Sequence, residues 1–170
     1  GGMEFGNDPE MSARVVAACK EATSKPIITK LSPNQADIQL NARLCIEAGS
    51  DSLSVINTIT GMAIDIKSRA AVLGESAGGL SGPAIKPVAL KKVYDVYQVT
   101  KNHGIPILGQ GGISSAEDAV EFLLAGATTV GVGTALFFDP LVCDKINKGL
   151  SSYLETNGYA SIDSLVGDIS

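Results

Sequence analysis

Four short apolar runs rich in β-branched residues punctuate the chain, at 26–31 (PIITKL), 52–56 (SLSVI), 105–108 (IPIL) and 128–132 (TTVGV). Each has the length of a strand. None alternates cleanly between polar and apolar, the pattern of parallel strands covered on both faces. Helical patterns fill the intervals. Asp8, Pro9 and Glu10 supply a cap, a first-turn proline and an acid, and open a helix that runs to Ser24. A second helix runs from Asn34 to Ala48 and stops at Gly49. Lys86 and Pro87 open a third, with Val88, Val93, Val96 and Val99 as much of its apolar content. Ser114 to Glu117 reads as a capping box opening a fourth, which ends at Gly126. Asp139 and Pro140 open a fifth, in which Val142, Ile146, Leu150 and Leu154 recur every fourth residue before Asn157 and Gly158 close it.

The order is one helix followed by four βα units. Strands alternating with helices pair in parallel through crossovers. An internal repeat supports stacked pairs of units. Lys25-Pro26-Ile27-Ile28 is echoed by Ile105-Pro106-Ile107-Leu108, and Glu47-Ala48-Gly49 by Leu124-Ala125-Gly126. Four βα units are half of a (β/α)8 barrel, a fold of roughly 250 residues. A doubly wound, flavodoxin-like sheet is the other architecture for this length. One connection fits neither minimal unit. The segment 57–83 separates a strand from its helix and carries Gly61, Gly74, Gly78, Gly79 and Gly82. Structureless loops beyond about 15 residues are uncommon and usually functional.

Composition narrows the picture. The 170 residues are 45% hydrophobic and 18% charged, which suits one domain with one core and excludes a disordered chain. No apolar run is long enough to span a bilayer. The net charge of −5, without any Lys/Arg cluster, argues against nucleic acid or an anionic membrane as partner. Cys19, Cys45 and Cys143 are scattered and odd in number, so they read as reduced thiols of a cytoplasmic protein. The chain opens on Gly1 with a loop-like GGMEFG, which raises the expectation of a piece of something longer.

Candidate chemistry gathers after the strands. Gly109-Gln110-Gly111-Gly112-Ile113-Ser114 precedes a helix, and Gly131-Val132-Gly133-Thr134-Ala135 is a second strand-to-helix turn. Glycines let backbone amides approach an anion, and a helix N-terminus favours negative charge. Two such turns after the last two strands form a recurring phosphate site of barrel enzymes. The phosphate is that of a flavin mononucleotide or of a phosphorylated sugar. Lys30 ends the first strand, where it either serves the mouth or snorkels to solvent. Asn57 and Thr58 end the second, as hydrogen-bonding groups at the same mouth or as an ordinary turn. His103 falls at a helix C-terminus on the opposite face, where a dipole interaction is expected. Cys19 and Cys45 sit at apolar helix positions and read as small buried hydrophobes. Cys143 has no neighbour to activate it. No metal-ligand spacing and no nucleophile–base set occurs.

These motifs, taken together, resemble the catalytic subunit of class 1 dihydroorotate dehydrogenases, C-terminal half, with the NAD-linked class 1B form most similar. The resemblance rests on Gly1-Gly2-Met3-x-Phe5-Gly6, Lys30-Leu31-Ser32-Pro33-Asn34, Ile56-Asn57-Thr58, GMAIDI at 61–66, GGLSGPAIKP at 78–87, Gly111-Gly112-Ile113 and Val132-Gly133-Thr134-Ala135, in family order along the whole chain.

The resemblance implies an FMN-binding (β/α)8 barrel, of which residues 1–170 form the C-terminal half with no second domain. It implies oxidation of dihydroorotate to orotate in pyrimidine biosynthesis. Lys30 would contact the flavin ring, and Ile56 and Gly82 would touch it through backbone. Gly111, Gly112, Gly133 and Thr134 would hold the FMN phosphate, and Asn57 and Thr58 would bond the orotate. Electrons would leave toward NAD through a partner subunit carrying FAD and an iron–sulfur cluster. The family's catalytic base is a cysteine in Asn-x-x-Cys-Pro-Asn, expected upstream of Gly1, and none of the three cysteines here corresponds to it. Activity of this chain alone is therefore not expected. A homo-oligomer or a complementary N-terminal half would complete it. The alternatives are a non-catalytic half-barrel that binds FMN or phosphate, and an FMN barrel of the dihydropyrimidine dehydrogenase type.

Overall fold

In the computed structural model, residues 5–169 are described; Gly1, Gly2 and Met3 of the opening motif lie outside them. Helix α1 (Pro9–Ala22) starts where Asp8 accepts a hydrogen bond from the Met11 N–H at 2.9 Å, as its cap pattern implies. Strand β1 (Ile28–Leu31), helix α2 (Ile38–Glu47) and strand β2 (Ser52–Val55) follow. Helix α2 begins later than expected. Asp37, not Asn34, caps it, by accepting from Leu40 N at 2.9 Å.

The connection after β2 is not structureless. It folds into β3 (Ile59–Gly61), β4 (Ile64–Asp65), β5 (Ala70–Ala71) and β6 (Gly78–Leu80), with β3 antiparallel to β6 and β4 to β5. This β-arm leads back into helix α3 (Lys86–Thr100). Strand β7 (Ile107–Gln110), helix α4 (Ala116–Leu124), strand β8 (Thr129–Gly131) and helix α5 (Val142–Asn157) complete the chain. Two starts differ from expectation. The capping box of α4 is Ser115 with Asp118, one residue further on than the spacing suggested. The turn after β8 enters a short 3-10 helix, Thr134–Phe137, and α5 begins only at Val142. The repeat is structural as well: Gly49 and Gly126 end their helices at φ 103° and 112°.

β1, β2, β7 and β8 form one parallel sheet in that order. Sequential order with consecutive helices packed on one another excludes the doubly wound alternative, in which strand order reverses, and fits a TIM-barrel-type fold. Coverage of both strand faces is also corrected. Leu31, Leu53, Val55 and Ile107 point into the helices and are fully buried with Val93, Val96, Phe122 and Leu123. The opposite face carries Lys30, Ser52, Ser54, Leu108, Gln110 and Ile28, the last 58% exposed. Alternation was hidden because serine, glycine and lysine share that second face with isoleucine and leucine.

Candidate active site

The carboxyl ends of the parallel strands all open on one side, and the registered ladder decides which side chains arrive there. Lys30 stands level with Ser54. It is exposed and makes no ion pair among the described residues. Immediately past β2 the chain is bonded to both neighbours. Ile56 N donates to Gln110 O and Asn57 N to Leu31 O, each at 3.0 Å. Those bonds fix where Asn57 and Thr58 emerge. The Asn57 side-chain oxygen accepts from Thr58 N at 2.9 Å, which leaves its amide nitrogen to donate elsewhere.

Two residues outside the expected set of site residues hold Thr58 in place. Asn34 donates from Nδ2 to Thr58 O at 3.0 Å and accepts from Thr60 N at 2.9 Å. It pins the root of the β-arm to the loop after β1. Gly79 lies against the other side, and a Cβ there would collide with Thr58 Oγ1. Asn34 stands in the KLSPN motif, but its local pattern is that of a helix start.

The glycine turns meet one another. Gly82 and Gly112 have φ 85° and 83°, conformations that strain any other residue. A Cβ on Gly112 would lie 2.7 Å from Gly82 O, so the two turns touch backbone to backbone. Thr134 Oγ1 donates to Ser81 Oγ at 2.8 Å and ties the turn after β8 to the end of the arm. A Cβ built on Gly133 would meet nothing within 4 Å, so that turn faces open space.

Lys30, Ile56, Asn57, Thr58, Gly82, Gly111, Gly112, Gly133 and Thr134 all line one cavity of about 260 Å³. Gln110 and Ser81 line it too, and neither was anticipated as a site residue. The Gln110 side chain donates to Ser54 Oγ on the open face of the sheet. A second cavity of about 530 Å³ shares Lys30, Asn57 and Thr58 and extends under the arm past Asn34 and Gly79. A third, about 260 Å³, shares Gly82, Gly112, Gly133 and Thr134 and continues to Ser114 and Asp139.

Charge behind the Gly111–Ser114 turn is organised by Asp118. Burial pushes its carboxyl up, but hydrogen bonds from Lys86 and from the Ser114 N–H and hydroxyl outweigh that and hold it below the usual carboxylate range. Hydrogen bonds to Asp118 and then Glu121 raise the Lys86 ammonium above the ordinary lysine value. The cysteines take no part in the cavity. Cys45 is buried in α2, and desolvation pushes its thiol up to about 11. Cys19 is exposed, against the expectation of burial, because it lies on the buried face but in the end of α1 beyond Val16, where residues 18–22 are all exposed. Among the described residues no cluster of His, Cys, Asp or Glu could hold a metal ion, and no helix is long and apolar enough to cross a membrane.

One cavity thus brings together the two glycine turns, the Thr134 hydroxyl, the Lys30 ammonium and the Asn57–Thr58 pair. Comparison with known proteins bears on what such a set serves. The profile of the family described as dihydroorotate dehydrogenase matches residues 1–154. Catalytic subunits of dihydroorotate dehydrogenase B (NAD(+)) from Pelobacter propionicus and Trichlorobacter lovleyi are each 54% identical over 167 residues. That from Geotalea uraniireducens is 52% identical over the same length. These alignments cover 98% of this chain and 54% of each relative, so the chain spans about half the length of the curated relatives it matches.

Proposed function

The chain belongs to the dihydroorotate dehydrogenase family, and from that premise we propose that it forms four βα units of a (β/α)8 barrel which binds FMN and oxidises dihydroorotate to orotate in pyrimidine biosynthesis. The observation that carries the reading is the single cavity lined by all nine residues, at the carboxyl ends of consecutive parallel strands. Barrel enzymes place their sites on that face. The residues fit FMN. The touching turns at Gly82 and Gly112 and the open space before Gly133 make a cradle that side chains would fill.

In this reading Gly111, Gly112, Gly133 and Thr134 hold the phosphate through backbone amides, and the Thr134 hydroxyl donates to it by accepting from Ser81 Oγ in place of the present donation. Ile56 and Gly82 line the flavin through backbone. Lys30 places a positive charge beside the ring, where charge develops on reduction. FMN, when bound, supplies the acceptor for the hydride that dihydroorotate loses. Asn57 and Thr58 orient the pyrimidine, whose alternating donors and acceptors need paired partners. The β-arm, anchored by Asn34 and Gly79, covers the larger cavity and helps exclude water. The relatives' name couples the reaction to NAD. The proposal accordingly includes an electron-transfer partner subunit with FAD and an iron–sulfur cluster, and a cytoplasmic location in which the free thiols stay reduced.

Anaerobic addition of dihydroorotate to the full-length, FMN-loaded protein tests the reading. Flavin absorbance should bleach in a single turnover with release of orotate. Lys30→Ala should slow that bleaching about a hundredfold while the fold persists. A wild-type flavin that dihydroorotate leaves oxidised would refute the assignment.

A further inference from the structure

The first turn of α4 presents a difficulty for any anion. Asp118 is its third residue and lies directly behind the turn Gly111–Ser114 that the proposed function gives to the FMN phosphate. Its Oδ2 accepts from Ser114 N at 2.8 Å, Ser114 Oγ at 2.9 Å and Ser115 N at 3.1 Å. Those bonds shape the turn, yet they set a carboxylate beside the place where a phosphate would sit. Glu121, one turn further along the same helix, adds another negative charge. Like charges this close oppose anion binding, least screened where they are partly buried.

Lys86 answers both. Its Nζ lies 2.7 Å from Asp118 Oδ1 and 2.9 Å from Glu121 Oε2. It is the first residue of α3, so it stands on the segment that follows the Gly82 turn. It also touches the opposite turn. A Cβ on Gly112 would meet Lys86 Cβ at 3.0 Å and Lys86 N at 3.1 Å. One side chain thus spans the two glycine turns and carries the cation that balances the carboxylates behind them. Its side chain is 25% exposed and that of Asp118 13%, so the pair is partly shielded from bulk water.

We propose that Lys86 is a positioning and charge-balancing residue of the phosphate cradle: by neutralising Asp118 and Glu121 and bracing Gly112, it allows the Gly111–Ser114 turn to accept a dianion. It acts through the turn and touches neither flavin ring nor substrate. The inference rests on the FMN reading above and deepens it.

The test compares FMN with riboflavin, which has the same ring and no phosphate, in binding titrations of the full-length apoprotein. Lys86→Met keeps the aliphatic stem and removes the charge. It should weaken FMN about tenfold and change riboflavin less than about twofold, while Lys86→Arg retains most of the FMN affinity. Glu121→Gln in the Lys86→Met background should recover about threefold for FMN alone. Glu121→Gln by itself, at a largely exposed carboxylate, should tighten FMN about twofold at low salt, which keeps the idea testable if Lys86→Met does not fold. Equal losses for FMN and riboflavin would reduce Lys86 to an ordinary structural residue and overturn the inference. So would unchanged FMN binding in Lys86→Met, or no response to Glu121→Gln. A wild-type protein that binds riboflavin as tightly as FMN would instead overturn the phosphate reading on which the inference stands.

Discussion

The exposed Asn34 amide holds the carbonyl of Thr58 and the N–H of Thr60, and so sets the path of the chain as the Asn57–Thr58 pair leaves β2. If Asn57 and Thr58 bind the pyrimidine as proposed, Asn34→Ala in the full-length protein should raise KM for dihydroorotate about tenfold with a smaller change in kcat and with FMN content intact, since the bonds it removes position that pair and not the glycine turns. Steady-state kinetics beside flavin absorbance checks it; a loss of FMN with unchanged KM would contradict the role. The residue also shows what the sequence hid. Lys30, Asn57, Thr58 and the glycines were legible because each ends a recognisable strand or makes a turn. Asn34 follows Pro33 and precedes an apolar-periodic stretch, so local pattern assigns it to a helix start. Only the distant Thr58–Thr60 segment reveals its partner, and Asp37 is the residue that satisfies the helix's own N–H groups.

Between elements, Asp51 is the clearest device. It lies just before β2, accepts from Lys20 Nζ of α1 at 2.7 and 2.9 Å, and accepts from Ile27 N just before β1 at 2.8 Å. The Lys20 hydrogen bond and then that from Ile27 hold its carboxyl below the ordinary value of 3.8. A depressed carboxylate stabilises the fold above its unfolded-state pKa, and that contribution disappears as pH falls through the folded value. Asp51→Asn should therefore lower Tm near neutral pH and make the fall of Tm between about pH 5 and pH 3 shallower than in the wild type. Thermal melts across that range check it, and parallel curves would contradict the assignment. Helices were readable at this scale because caps and fourfold spacing are local. The β-arm was not. Its strands are two or three residues long, too short for a period of two to show, and Gly78 and Gly79 resemble turn residues until Thr60 is seen to pair with Gly79.

At the scale of the whole molecule, the sheet among the described residues stops at β1 on one side and β8 on the other, and its second face leaves Ile28 58% exposed. Phe137 and Phe138, beside the turn after β8, are 90% and 85% exposed. Unpaired strand edges flanked by apolar surface drive association. The isolated 170-residue chain should self-associate or melt without cooperativity, which size-exclusion chromatography with light scattering and a thermal melt will register; a cooperatively melting monomer would contradict that expectation. Whether the meeting glycine turns hold a phosphate is decided by the flavin content of the full-length protein with and without Gly112→Asp. Asp would set a Cβ against Gly82 O and a carboxylate in the cradle. The wild-type protein should carry about one FMN per chain and the variant almost none, with circular dichroism unchanged. Near-normal flavin in Gly112→Asp would contradict it.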